Sequence, residues 1–544
     1  MMKKALFLMV WILSLPTFGR VSKVNEQDTL VQLMKESMYE TFNQASSSSL
    51  YFVAMHVLDT KQLTMTYREG KFVEKEEEDR GLTTQVRVGD MHLDNFGNKI
   101  KVKHNFVGKL PKRFMYAPFT RLPTSCSSTY DVKNLMLKDL TDTYNESLSD
   151  YSNIQHAAPL PFESFSKAPV SIYYEEPLCV LSSDKTKESL RAYVKEIGNL
   201  VDQQEELSNS KVTLTLTIRR NIVMNTEGTL TAQNATIYRL AISTSAQTED
   251  KKEESLTSYF YAYRLKELPS IAELSGRIAD QSARTQAKAQ APAGEEYDGP
   301  LLFSAQASGV LMHALVGFYL QAESWKVYLN PIQKRVGERI LPQEISICYA
   351  PSQKYRKGEP LMGYYRYDDE GTAAQSVTCI KDGIFCQPLM GRAPVDAFAG
   401  SNGHARAGLG ADPSPRQSNM FVTSSKKYTE AELRDLFIQE LRRTGREYGY
   451  YVRLMDNDHH CGYRIGPAYP PVRELYKVYV DGRPDTPVRG LTLMEDHWEM
   501  IRNIVATGGK QEVTNGRCIY DNEELLTSVV APMLYVKRAH LTTW

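Results

Sequence analysis

Apolar residues first recur at helical spacing at Leu30, Leu33, Met34 and Met38, which predicts a helix over about 25–47. The period then shortens. Tyr51 to Val57, Leu63 to Arg68 and Thr84 to Val88 read as three strands, and the charged run from Glu74 to Arg80 reads as a solvated turn between the last two. A polar helix is predicted over about 186–208. The alternating stretch Lys211 to Ile218 then predicts a half-exposed strand. Asn225 to Thr229 makes a turn and Thr236 to Thr244 a second strand, so this region predicts a hairpin.

The texture breaks between about Gln281 and Pro300. Residues 287–296 (Ala-Lys-Ala-Gln-Ala-Pro-Ala-Gly-Glu-Glu) have the small, Pro/Gly-punctuated composition of a linker. Beyond them come short strands, many Gly and Pro turns, and one late helix over 430–447. Strands and helices without a regular alternation predict an α+β fold. It divides into an N-terminal mixed sheet with helices over 20–285 and a strand-rich region over 286–544.

The first residues carry an address. Lys3 and Lys4 precede an apolar run from Ala5 to Leu15, then Pro16 and the small-residue site Thr17-Phe18-Gly19. That layout predicts a secretory signal peptide over 1–19, with the mature chain starting near Arg20 and exported to a bacterial periplasm or beyond. The run is too short to span a bilayer comfortably, and no membrane span is expected after its removal. The rest of the composition excludes some classes. Lys plus Arg equals Asp plus Glu at 65 each, so no basic field would draw in nucleic acid. Seven cysteines (126, 179, 348, 379, 386, 461 and 518), thinly spread and without a CxxC pair, do not describe a disulfide scaffold.

One stretch carries most of the candidate chemistry. Gly309 to Phe318 has the form of a zinc-protease helix with its working residues removed. Such a helix needs two histidines on one face to hold the metal and a glutamate beside the first to accept a proton from bound water. His313 remains, Ala314 stands at the glutamate position, and Gly317 and Phe318 stand where a second histidine would complete the face. On its own, a single histidine on an apolar helix reads as structural. The cluster Asp456-Asn457-Asp458-His459-His460-Cys461 is dense in metal-ligand types, but it also reads as a polar loop. Asp368-Asp369-Glu370 could do acid/base work, and the following Gly371 makes it read as a turn. Gly-Leu-Gly at 408–410 lacks the context of a phosphate loop.

These fragments, in this order, resemble the TldD/PmbA family, metallopeptidase-related proteins once called modulators of DNA gyrase. Ala287-Lys288 through Pro292 and Gly294, then Leu301-Leu302-Phe303 and Gly309 to His313, resemble the lead-in, strand and metal helix of that family. Asp368-Asp369-Glu370-Gly371-Thr372, Ile380 to Ile384, Ser401 to Arg406 and Pro415 to Asn419 resemble its later signatures. Cys518, followed by Pro532 and Leu534, reproduces the spacing around the family's third metal ligand. Taken alone, Cys518 reads as a buried, inert thiol.

The resemblance implies a two-domain TldD/PmbA-like architecture, with His313 and Cys518 as residual zinc-ligand positions, Phe318 replacing the third ligand, and no catalytic base at Ala314. Asn402, His404 and Arg406 fall in the loop that lines the substrate cleft. The family's members are dimers that take unstructured peptides, and they divide labour between a metal-bearing subunit and a related one that lacks the motif. Two readings follow. The first is a non-catalytic subunit, paired with itself or a related chain, that needs no cofactor. The second is an active zinc metallopeptidase with a rearranged site, drawing a donor from His404 or from Asp458, His459, His460 and Cys461.

Overall fold

The computed structural model describes residues 28–44, 49–96, 119–124, 129–156, 159, 163–178, 183–322, 325, 332–395, 398–458, 469–520 and 523–543. The signal-peptide region lies outside these residues, as do His459, His460 and Cys461.

The N-terminal half is built on a sheet of β1 (Leu50–Arg68), β2 (Lys71–Asp90), β3 (Leu93–Asp94), β4 (Thr120–Arg121), β5 (Ile172–Tyr174), β6 (Lys211–Asn225), β7 (Leu230–Gln247) and β8 (Glu253–Ala262). Its central order is β3-β2-β1-β6-β7-β5, with β4 on β2 and β8 on β7. All its pairings are antiparallel except that of β5 with β7. Helices α1 (Thr29–Gln44) and α2 (Thr129–Ser152) cover one end of the strands, where Met34, Met38, Met136 and Leu140 pack on Val53, Met55 and Val86. Helices α3 (Asp184–Asp202) and α4 (Ile271–Gln290) cover the other end, where Leu190, Val194 and Ile278 pack on Leu63, Met65 and Leu214.

Two expectations are corrected here. The charged run from Glu74 to Arg80 is not a turn, because β2 passes straight through it. The turn falls earlier, at Glu69-Gly70, where both residues take positive φ as a two-residue hairpin turn requires. The stretches read as two strands, 51–57 and 63–68, are accordingly one strand, β1. The physical reason lies across the sheet. Glu74 sits opposite Met65 and Glu76 opposite Leu63, so these carboxylates share the face that α3 covers. There Arg191 of α3 holds Glu74 in a two-pronged ion pair at 2.6 and 2.8 Å, and Lys187 pairs with Glu76. The second correction concerns the linker over 287–296. Its first four residues are the last turn of α4, with Lys288 and Ala289 buried. Ala, Lys and Gln are good helix formers, and composition alone could not tell a helix end from a linker.

The C-terminal half is a second, larger sheet. Its long strands are β9 (Tyr297–Phe303), β10 (Ile345–Tyr349), β13 (Val377–Lys381), β17 (Asn419–Ser424), β18 (Tyr448–Met455), β19 (Val472–Tyr479), β22 (Ile504–Tyr520) and β23 (Glu523–Thr543). Shorter pieces are β11 (Tyr355–Arg356), β12 (Glu359–Pro360), β14 (Ile384–Phe385), β15 (Ala405–Arg406), β16 (Ser414–Pro415), β20 (Thr486–Val488) and β21 (Leu491–Leu493). The order is β14-β13-β10-β17-β23-β9-β18-β19-β20, with β21 and β22 also on β23; β11–β12 and β15–β16 form small ribbons of their own. Helix α5 (Ala305–Met312) packs on β23, β18 and β22, while α6 (Glu430–Arg443) and the short α7 (His497–Arg502) lie elsewhere on the sheet. Mixed sheets with segregated helices confirm the α+β expectation and its two-part layout.

The halves are joined by specific polar contacts. Asn221 of β6 donates to the buried carboxylate of Asp369, Arg219 donates to the Ala407 carbonyl, and Arg284 of α4 pairs with the buried Glu474 at 2.5 Å. The most enclosed tie is Arg392, whose side chain is 1 % exposed. It donates twice to the Ser166 carbonyl, at 2.9 and 2.8 Å, and pairs with Glu227 at 2.7 Å. Its guanidinium also lies 4.0 Å from the ring centre of Phe165.

Candidate functional site

Strand β9 delivers the chain to α5 through Ser304, whose hydroxyl accepts from the Ala307 N–H and caps the helix. The helix is apolar all round and almost wholly buried, as a helix over the centre of a sheet must be. At His313 it widens into a π-helical turn that runs to Gly317. Such single turns, with their i→i+5 spacing, are frequent at functional sites. The wider turn brings backbone positions 313 and 318 toward one side of the helix.

His313 is 8 % exposed, and its Nε2 lies 3.3 Å from Sγ of Cys518. Cys518, near the end of β22, is 1 % exposed and opposite Leu525 of β23. Two residues 205 apart in sequence are therefore brought together. A third side chain completes the cluster. Gln417 donates from Nε2 to the His313 carbonyl at 3.2 Å, and the same nitrogen lies 3.4 Å from His313 Nε2. Its Oε1 accepts from the Tyr349 hydroxyl at 3.1 Å. A Cβ at position 317 would overlap the Gln417 carboxamide, so Gly317 is the residue that makes room for it. Burial pushes the Tyr349 hydroxyl well above its ordinary pKa and keeps it a neutral donor.

The loop residues predicted for a cleft form the support of this cluster. Arg406 is 8 % exposed and donates to the Gln417 carbonyl at 2.5 Å and the Leu526 carbonyl at 3.0 Å, which fixes the segment between β16 and β17 that carries Gln417. His404 is fully buried, edge-on to the rings of Tyr349 and Tyr365, with Nδ1 3.0 Å from the Asn402 carbonyl. Burial lowers its pKa to about 4, so it is neutral near pH 7. Asn402 accepts from the Met390 N–H at 2.7 Å and donates to the Pro388 carbonyl at 2.9 Å. Asp368 is held by three backbone N–H groups, from Glu370, Thr372 and Ala405, at 2.8–3.1 Å. That is the turn reading of the acidic signature. Asp458 is clamped by Arg239 and Arg517. Sequence reasoning missed Gln417 and Tyr349 as site residues, because a neutral amide and a strand tyrosine carry no chemical signal until the fold surrounds them.

The donor set can be tested against zinc. For ordinary bond lengths, a histidine nitrogen and a thiolate sulfur on one tetrahedral zinc lie about 3.5 Å apart, so the His313–Cys518 separation alone would suit an ion. The remaining corners do not. Phe318 has no donor atom, Gln417 brings a neutral amide whose N–H is committed to His313, and Ala314 cannot accept a proton. Among the described residues no further His, Cys, Asp or Glu side chain joins the pair to make a metal-binding group. The described residues around His313 and Cys518 do not by themselves make up a catalytic zinc centre.

Residues 296–543 match the PmbA/TldA metallopeptidase C-terminal domain. A metalloprotease TldD homolog of Haemophilus influenzae is 23% identical over 341 residues, which cover 59% of this chain and 65% of the relative. A metalloprotease of Archaeoglobus fulgidus is 25% identical over 132 residues, 24% of this chain and 29% of the relative. The matches thus span less than two thirds of either relative's length. Among solved structures, a candidate modulator of a DNA gyrase from Thermotoga maritima shares the fold at a TM-score of 0.62 and 15% identity, covering 93% of this chain and 100% of that one. TldE from Thermococcus kodakarensis does so at 0.61 and 11%, with 93% and 100% covered. The fold is shared across nearly the whole chain, and residues 296–543 are a C-terminal domain of the PmbA/TldD metallopeptidase family, in agreement with the ordered motifs.

Proposed function

We propose that this chain is a TldD/PmbA-type subunit without peptidase chemistry of its own. It binds unstructured peptide and pairs with a second copy or a related, metal-bearing chain. The observation that supports this reading is the make-up of the helix face: Ala314 and Phe318 stand at the base and second-ligand positions of the motif, and Gln417 Nε2 lies 3.4 Å from His313 Nε2. Loss of a general base alone typically costs on the order of 10²–10⁴ in rate. The partner and the peptide class come from the family resemblance, as does the dimer. Export rests on the first 19 residues.

The His313–Cys518 contact favours a second reading, an active zinc peptidase with a donor recruited from elsewhere. One purified sample separates the two. Elemental mass spectrometry should find zinc far below one per chain, unchanged in a Cys518→Ala variant. Near-stoichiometric zinc that disappears in Cys518→Ala would overturn the non-catalytic reading. On the exported protein, intact mass should show a chain beginning near Arg20; retention of residues 1–19 would refute processing by a signal peptidase. Native mass spectrometry on the same material should show a dimer, and a monomer throughout would count against pairing with itself.

A further inference from the structure

At the seam between the halves, the loop over 351–367 lies against β5, β7 and the end of β8. Tyr263 donates to the Leu361 carbonyl at 2.6 Å, and Gln233 of β7 donates to the Tyr367 carbonyl at 2.6 Å. Two exposed cations stand on this loop, and each lies over aromatic rings. Lys354 Nζ is 4.5 Å from the Tyr263 ring centre and 5.3 Å from that of Tyr364. The Arg366 guanidinium is 5.4 Å from the Tyr173 ring, which itself lies 5.3 Å from Tyr367.

Neither cation makes an ion pair with a described carboxylate. The nearby acids are already engaged. Glu267 is held by Arg264 at 2.7 Å and by the Tyr263 N–H at 3.0 Å. Glu175 accepts from the Tyr173 hydroxyl at 2.6 Å and the Asn234 N–H at 2.7 Å. A cation over a ring keeps its outer side open to an anion, and tyrosine with arginine is the composition of energetic centres in interfaces. The strip also leads inward. On the same loop the Met362 N–H donates to Ser528 Oγ at 2.6 Å, and Gly363 packs against the Ser418 backbone beside Gln417.

We propose that this seam is a docking strip for acidic, unstructured peptide, with Lys354 and Arg366 reading carboxylates and Tyr173, Tyr263, Tyr364 and Tyr367 supporting them. It rests on the peptide-binding reading above and adds the charge class of the peptide. The charge complementarity selects against basic segments, and binding weakens as salt rises because both cations are exposed.

The test is fluorescence anisotropy on the full mature chain with three labelled Gly/Ser peptides. They carry glutamate, glutamine or lysine at every third residue. The glutamate peptide should bind at least tenfold more tightly than the glutamine one, and the lysine peptide more weakly still. The double variant Lys354→Gln/Arg366→Gln should erase that preference while keeping the wild-type thermal midpoint. Equal binding of the acidic and neutral peptides, or a preference that survives in the double variant, overturns the strip but leaves peptide binding intact. No binding of any peptide overturns both.

Discussion

Replacing Arg392 by alanine is expected to cost about 3–5 kcal/mol, the usual penalty for breaking a buried ion pair by removing one partner. The guanidinium is enclosed, and from a single position it satisfies the Ser166 carbonyl twice and both carboxylate oxygens of Glu227. Alanine would strand that carbonyl and leave a cavity beside Phe52 and Phe165, over which the guanidinium lies at 5.1 and 4.0 Å. Arg392→Lys should recover only part of the loss, since an ammonium cannot span two acceptors in a fixed fork. Denaturation midpoints of the three proteins check this. A wild-type midpoint for Arg392→Ala would show that the halves do not depend on the clasp.

The second large effect is acid sensitivity through His404. Its folded-state pKa, about 4, lies below the ordinary value of 6.5, so the folded protein refuses a proton that the unfolded chain accepts. Stability therefore falls as the pH drops through 6.5, and the loss is complete near 4. Integrated over that window, the shift corresponds to about 3 kcal/mol. Burial lowers the pKa of His56 as well, and its contribution has the same sign. Burial raises the pKa of Asp368, which works the other way, so the clean measurement is a difference. The gap in stability between wild type and His404→Gln should shift in the variant's favour by about this amount from pH 7 to pH 4. A gap independent of pH would rule out His404 as the titrating group.

Much of the site was legible before the fold was known. His313, Ala314 and Phe318 carry their meaning in local spacing, and Cys518 carried it in the distance to Pro532 and Leu534. What joined them was not legible. Gln417 matters because Gly317 leaves space for its amide, and that space exists only once the segment before β17 meets the turn that follows α5. The fold was readable wherever burial imposed a period, as in β6, and unreadable where a distant partner overrode local preference. Glu74 and Glu76 look like turn residues until Arg191 and Lys187 stand over them. Ala287 to Gln290 look like a linker until α4 is seen to bury Lys288 and Ala289.

That charged half of β2 has one more consequence. Among the described residues, Lys71 to Asp79 lie at the open edge of the sheet, since β3, β4 and the residues beside them bond only to positions 80 and beyond. An open edge offers unpaired backbone groups to any extended chain, and proteins protect such edges with charge. Here Glu76, Glu77 and Glu78 are exposed along it. The row of carboxylates repels a second copy of itself and any acidic segment, so the longest hairpin of the molecule is guarded against strand addition and the aggregation that would follow.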